Sequence, residues 1–270
     1  PSSYCGAYGF KPSVGGINRG GSFDDFSQSC SGSIGASLAD TWTVARAISL
    51  RAGGDPGYVG LTGPEELPPA RKPRRIAFLE TAGWPEATDA AKQAISGAKA
   101  ALQAADIDVV DRTSNDAVAA AEDAIAGALE LSMKINAWEG HWPLNTYAVD
   151  MDKSKLSTSA VGRLEEAQAM SQDQYAGLIA GRAQVRATYE AMKAEVDCCM
   201  TLPATGAAPV GLDWTGNPIF TVPTSLLGCP SLTLPLFEDD GMPLGLQLTG
   251  FTDQDAALFE AAGAIEAELA

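Results

Sequence analysis

Arg75-Ile-Ala-Phe-Leu-Glu80 and Ile107-Asp-Val-Val110 are two short runs rich in apolar and β-branched residues. Each has the composition of a β-strand. Between them, Ala91, Ile95, Ala98, Leu102 and Ala105 recur at spacings of four, three, four and three. That period places them on one stripe of a helix, which Thr88 or Asp89 can cap. A strand, a helix and a strand joined by short links form a βαβ unit, whose strands run parallel. The stretch therefore predicts an α/β fold with a partly parallel sheet.

Toward the C-terminus, residues 231–237 and 244–250 read as strands joined by Glu238-Asp-Asp-Gly241. Asp-Gly at the turn predicts a hairpin, so parallel and antiparallel pairs share one mixed sheet packed between helices. Thr252 is the expected cap of a final helix that turns Leu258, Ala261, Ile265 and Leu269 inward. Residues 196–202 read as a buried strand and residues 206–217 as a loop. Strands 196–202 and 231–236 are read as apolar along their length, which suits burial on both faces. Toward the N-terminus, residues 40–51 predict a helix with Trp42, Ala45 and either Ile48 or Ser49 inward. Residues 53–72, rich in Gly and Pro, read as a linker. In the middle, residues 115–138 are Ala-rich and read as one helix. It ends in Asn136-Ala-Trp-Glu-Gly-His-Trp-Pro143, either a pocket wall or a helix end packed into the core. Residues 156–169 predict another helix. Ser171 and Gln174 have capping-box spacing for the next, whose face carries Tyr175, Leu178, Ile179, Arg182, Val185, Tyr189 and Met192.

The chain of 270 residues is long enough to bury a substantial core. Its net charge of −16 argues against nucleic acid or an anionic membrane as partner, since both demand a basic surface. The five cysteines, Cys5, Cys30, Cys198, Cys199 and Cys229, include no Cys-x-x-Cys pair. A disulfide framework or zinc site is not expected, and a reducing, cytoplasmic compartment is. Apolar runs are far shorter than a membrane span.

The residues also limit the chemistry. His141 is the sole histidine, so a Ser-His-Asp or Cys-His site would have to be built around it. No Gly-x-Ser-x-Gly elbow, phosphate-binding loop or metal-ligand spacing occurs, so neither a metal nor a cofactor is expected. Glycines at 6, 9, 15 and 16 and prolines at 1 and 12 break regular structure in residues 1–40, which implies tight turns. Lys11 sits among these glycines but lacks the context of a phosphate-binding loop.

The opening residues Pro1-Ser-Ser-Tyr-Cys-Gly-Ala-Tyr-Gly-Phe-Lys-Pro-Ser13, and later Gly32-Ser-Ile-Gly-Ala-Ser-Leu-Ala-Asp40, resemble the segments that follow the nucleophilic serine in amidase-signature enzymes. Gly54-Asp55-Pro56 matches a family turn. Phe220-Thr-Val-Pro-Thr-Ser-Leu-Leu-Gly-Cys-Pro-Ser-Leu-Thr-Leu-Pro235 and Gly241-Met-Pro-Leu-Gly-Leu-Gln-Leu-Thr-Gly250 resemble two further family blocks. In the second block of the N-terminal pair, Ser33 and Ala36 replace the family's Pro and Arg. The resemblance implies that residues 1–270 are the C-terminal part of a single amidase-signature domain, incomplete without its upstream half. That family cleaves amides with a Ser-cisSer-Lys triad in which a neutral lysine takes a proton through a bridging serine. By the family pattern the whole triad precedes Pro1, and no lysine here sits in the family's lysine context. No catalytic residue is therefore assigned in this chain.

What the chain is expected to supply is the wall of the site. Thr224, Ser225 and Leu226 align with a family turn that faces substrate; the residues alone also fit a strand-entry turn whose hydroxyls cap backbone. The expected partners are a small-molecule amide and the upstream half, and a homo-oligomer is compatible with both. The alternative is a non-catalytic binding or scaffold chain derived from an amidase. Membership of an amidotransferase for misacylated tRNA is disfavoured, because Asn217-Pro218 stands where that subfamily carries Asn-Asp. The chain alone is expected to hydrolyse no amide, and to expose one sheet face where the upstream half is absent.

Overall fold

The computed structural model describes residues 1–20 and 26–270. Residues 21–25, part of the turn-rich opening stretch, lie outside the described residues. Among the described residues one sheet contains strands β1 (Tyr8–Lys11), β2 (Ser33–Gly35), β3 (Arg75–Phe78), β4 (Asp108–Val110), β5 (Cys198–Thr201), β6 (Ser231–Asp239) and β7 (Met242–Thr249). The order across it is β2-β1-β6-β7-β5-β3-β4. β3 runs parallel to β4 and to β5. The pairs of β1 with β2 and β6, of β5 with β7 and of β6 with β7 are antiparallel. The fold is thus α/β with a mixed sheet, as the βαβ unit and the hairpin implied.

Helices α1 (Leu38–Ala52), α2 (Asp89–Ala104) and α9 (Asp255–Leu269) belong to the core on one face of the sheet. Helices α3 (Asp116–Ile125), α4 (Ala128–Glu139), α7 (Gln172–Ala191) and α8 (Val222–Leu227) belong to the core on the other. Helices α5 (His141–Asp150) and α6 (Thr158–Ala169) complete the set. Strand alternation divides the two cores. Ile76, Phe78, Cys198, Met200, Leu232, Leu234, Leu246 and Leu248 enter the first, while Ala77, Leu79 and Cys199 enter the second. In the first core Trp42 and Phe10 both meet the Phe259 ring edge-on, with centroids 4.9 and 4.8 Å apart. Such pairs add about 0.5–1.5 kcal/mol each to the burial of the rings.

Local signals mostly set the element ends. The Thr88 side chain accepts from the Ala91 N–H and caps α2. Ser171 and Gln174 form the complete capping box of α7. Asp240 and Gly241, at φ 53° and 73°, make the two-residue turn of the β6–β7 hairpin.

Three expectations need correction. The helix read over residues 115–138 is two, α3 and α4, separated at Gly127. Gly127 is the N-cap of α4, and the break lets Ile125 and Ile135 pack in the same core. The Trp-rich stretch closes α4 at Glu139, as read, but a new helix starts directly after it. His141 opens α5, whose first turn tolerates a proline because the N–H groups there have no intrahelical partner. Trp142 is 74% exposed, so this end is not packed into the core. Thr252 does not cap α9; its hydroxyl donates to Glu190 at 2.7 Å, and the N-cap position belongs to Gln254. β5 and residues 231–234 of β6 are buried, and residues 235–238 of β6 are half-buried or exposed. The outermost strands, β2 and β4, have three residues each, which limits the open edge. Between Ile48 and Ser49 the structure selects Ser49, buried with its hydroxyl donating to the Gly16 carbonyl and accepting from the Leu61 N–H.

Candidate active site

β6 and β7 alternate apolar with small or polar residues. Leu232, Leu234, Leu244, Leu246 and Leu248 fill the first core. Ser231, Thr233, Gly245, Gln247 and Thr249 therefore face the opposite way. The register then lines up Gly9, Thr233, Gln247 and Thr201 across β1, β6, β7 and β5. Gly9, Thr233 and Gln247 of this row, with Ser231, form the floor of a cleft of about 400 Å³.

The N-terminal turn lies on that floor. Pro1, Ser2 and Ser3 line the cleft. A Cβ on Gly9 would sit 2.1 Å from Ser2 Oγ, so only glycine at 9 lets the turn approach the sheet. The Gly245 N–H donates to Ser3 Oγ at 2.9 Å and fixes the turn in place. Ile34 and Ser33 of β2 form one side of the cleft, and Pro203, Thr221, Thr224 and Ser225 also border it.

Lys11 lies at the cleft with its ammonium donating to the Cys229 carbonyl at 2.5 Å and the Pro12 carbonyl at 2.9 Å. Its Nζ is 3.9 Å from the sulfur of Cys30, another lining residue. Burial pushes the Cys30 thiol up, against the opposing pull of Lys11 and Arg19, so the thiol stays protonated at neutral pH. That thiol is therefore not poised as a nucleophile. Beyond Lys11, Ser13 carries the chain to α9: its N–H and hydroxyl donate to the two oxygens of buried Asp255 at 2.8 and 2.7 Å.

The residues singled out from sequence occupy α8. Pro223 stands in its first turn and Gly228, at φ 75°, terminates it in the left-handed region. Thr224 and Ser225 line the cleft. The Thr224 hydroxyl donates to the Thr221 carbonyl at 2.8 Å. Leu226 is fully buried in the second core, and its carbonyl accepts from Arg186 Nε at 2.8 Å. The structure thus brings two of the three to the cleft and turns the third away from it. The Trp138–Trp142 cluster lies elsewhere, with Trp138 stacked on Tyr175 at 5.2 Å. Sequence reading missed the floor residues Ser231, Thr233 and Gln247, although their period of two was present in Ser231-Leu-Thr-Leu234 and Leu246-Gln-Leu-Thr249.

No described helix is long and apolar enough to cross a membrane. Among the described residues, no three His, Cys, Asp or Glu side chains gather where they could hold a metal ion.

The Amidase family model matches residues 1–259, and the chain belongs to that family, the amidase-signature enzymes. Among solved structures, one described as an amidase aligns with a TM-score of 0.80 at 21% identity, over 100% of this chain and 60% of that one. The substrate complex of 6-aminohexanoate cyclic dimer hydrolase aligns at 0.78 and 20% identity, over 100% of this chain and 62% of that one. Among relatives by sequence, a glutamyl-tRNA(Gln) amidotransferase subunit of Rhodospirillum rubrum is 28% identical over 96% of this chain and 57% of its own length. The corresponding protein from Parvibaculum lavamentivorans is 41% identical over 80 residues, 27% of this chain and 16% of that protein. The chain spans less than two thirds of the length of each of these proteins.

Proposed function

We propose that residues 1–270 are the C-terminal part of one amidase-signature domain, and that the whole domain hydrolyses the C–N bond of a small-molecule amide through a serine located upstream of Pro1. The observation that carries this reading is that Pro1 lies on the same cleft as Thr224 and Ser225. A nucleophile placed just before Pro1, as the family pattern has it, enters that cleft directly. The upstream serine attacks the amide carbon while its proton passes through a second serine to a neutral lysine, and the amine leaves with that proton. Water then cleaves the acyl-serine ester, releasing the acid and restoring the hydroxyl. This chain's part is to hold the substrate. Ser225 lines the cleft, where its hydroxyl can bond substrate. Thr224 is oriented by its bond to the Thr221 carbonyl.

A plain amide hydrolase fits better than an amidotransferase component that handles tRNA. Asn217, where that subfamily has its Asn-Asp, caps its own turn by accepting from the Ile219 N–H and donates to Glu86. The charge of −16 disfavours a polyanionic partner. All five cysteines are free, which supports a reducing compartment and hence the cytoplasm.

The test compares the 270-residue chain with the same chain carrying its natural upstream sequence. The longer protein is expected to turn over an aryl amide and to be labelled by phenylmethanesulfonyl fluoride at a serine before Pro1; the shorter one should do neither. Ser225→Ala in the longer protein should raise KM about three- to tenfold. Turnover by the 270-residue chain, lost on substituting a residue within it, overturns the reading.

A further inference from the structure

Thr81, three residues past the end of β3, has its backbone at φ 59°. In that left-handed region the Cβ crowds the following carbonyl oxygen. Among the described non-glycine residues at positive φ, Thr81 alone is β-branched; Asp106, Asp240 and Asp253 are aspartates, which tolerate the region better. A strained residue of this kind persists only where its surroundings over-determine it, and such residues gather at functional sites.

The strain is held from outside the turn. Glu122 of α3, 4% exposed, accepts at one carboxylate oxygen from the Glu80 N–H at 2.6 Å and the Thr81 N–H at 3.4 Å. Arg112 donates to its other oxygen at 3.2 Å. Two consecutive N–H groups on one buried carboxylate fix both peptide planes. Inside the turn, the Thr81 hydroxyl accepts from the Gly83 N–H and its carbonyl from the Trp84 N–H, each at 3.3 Å.

The turn presses on the cleft wall. A Cβ on Gly83 would lie 2.7 Å from the Phe220 ring and 2.8 Å from the Ile219 side chain, so the backbone at 83 is in close contact with both. Three residues on, Glu86 accepts from the Asn217 side chain at 2.7 Å. From the opposite side Gln247, on the cleft floor, donates to the Phe220 carbonyl at 3.0 Å. Phe220, 1% exposed, is therefore clasped between the turn and the floor. Directly after it come Thr221, Thr224 and Ser225, which line the cleft. Neither Thr81 nor Glu122 lines it.

We infer that Glu122 is a positioning residue, which braces Phe220 through the turn at 80–84 and so sets where the Thr221–Ser225 wall stands over the cleft floor. Its kinetic consequence rests on the amide-hydrolase reading above; its structural consequence rests on these contacts. A misplacement of about 1 Å is enough to weaken a substrate hydrogen bond made by that wall.

The test uses the chain with its natural upstream sequence and 4-nitroacetanilide, an aryl amide, as substrate. Glu122→Ala is expected to raise KM about fivefold with kcat changed less than about twofold, the mark of lost substrate binding. Glu122→Gln keeps an oxygen that accepts from both N–H groups and should hold KM within about twofold of the parent. In the Glu122→Ala background, Ser225→Ala should raise KM by less than about twofold, because the wall is already displaced. An unchanged KM in Glu122→Ala overturns the inference, as does an effect of Ser225→Ala that is the same fold in both backgrounds.

Hydrogen exchange read by mass spectrometry needs no turnover. Glu122→Ala should speed exchange over residues 217–228 about tenfold and leave residues 242–249 of β7 at the parent rate. No change over 217–228, or an equal rise over 242–249, overturns the brace, since the second outcome is general destabilisation. If Glu122→Ala does not fold, Thr81→Gly decides: glycine accepts φ 59° but frees the turn, and exchange over 217–228 should rise about threefold. Unchanged exchange in that variant overturns the brace. If the parent does not turn over the amide, the amide-hydrolase reading fails, and exchange decides the brace by itself.

Discussion

Replacing Ser13 by alanine removes two hydrogen bonds that hold the cleft floor to α9. Ser13 is buried two residues after Lys11. Its hydroxyl donates to Asp255 Oδ2 at 2.7 Å and accepts from the Asp253 N–H at 2.9 Å. Alanine keeps the backbone donor to Oδ1 and loses both hydroxyl bonds. A hydrogen bond to a charged group contributes about 1.5–3 kcal/mol, and an orphaned buried donor costs about 1–3 kcal/mol. The Asp253 N–H is only part-buried, so its share lies at the low end. The sum is a loss of about 3 kcal/mol, or about 6–12 °C in Tm for a chain of this size. Urea denaturation followed by circular dichroism measures it. The loss should also depend on pH. Burial pushes the Asp255 carboxyl up, and the two bonds from Ser13 oppose that shift. Because the folded value lies above the unfolded one, the associated stability is fully present below the ordinary carboxylate range and is lost as pH rises through the folded value. Removing the hydroxyl raises that value further. The gap between parent and Ser13→Ala should therefore widen from about pH 4 to about pH 7. A difference under about 0.5 kcal/mol at neutral pH, or a gap that narrows as pH rises, refutes this account of the Ser13–Asp255 link.

Lys99 should act with the opposite pH sign. Its ammonium, 2.7 Å from Asp111, is the largest influence holding that carboxyl well below the usual range, so the stability it confers is lost as pH falls. Lys99→Met should cost about 0.5–1 kcal/mol at neutral pH and flatten the acid limb of the stability curve; an acid limb as steep as the parent's would count against it. At the β6–β7 turn, Gly241→Val places a β-branched residue at φ 73° and should cost about 1–2 kcal/mol, whereas Gly241→Asn should cost less than about 1. Equal Tm values for the two variants would contradict the positive-φ argument.

Where the sequence was legible, the signal was local. Thr88 and Ser171 declare their helices because a hydroxyl three residues before an amide can cap only one way. The stripe of Ala91, Ile95, Ala98 and Leu102 is buried throughout, since its period matches the helix. Thr252 shows the limit of such reasoning. It is a good capping residue by type, but Glu190 of α7 offers it a carboxylate, and a tertiary partner overrides a local preference. The break at Gly127 and the helical start at His141 were illegible for a similar reason. α4 packs against α6 and α7, and α5 against α6, contacts that no local pattern shows.

Hydrophobic period, capping chemistry and the Asp-Gly turn are properties of a few neighbouring residues, so the sequence by itself determined the α/β class, the parallel β3–β4 pair and the β6–β7 hairpin. It also carried the family resemblance, because the blocks at both ends are contiguous in the chain. The cleft is different. Gly9, Thr233 and Gln247 come from three separate strands and meet only through strand register. A slip of one residue in β6 or β7 would turn Thr233 or Gln247 to the opposite face and put a leucine in its place. Thr224, Ser225 and Leu226 are consecutive, yet the turn of α8 sends the first two to the cleft and the third into the core. Only the tertiary structure decided those placements, because they depend on backbone geometry summed over segments more than a hundred residues apart.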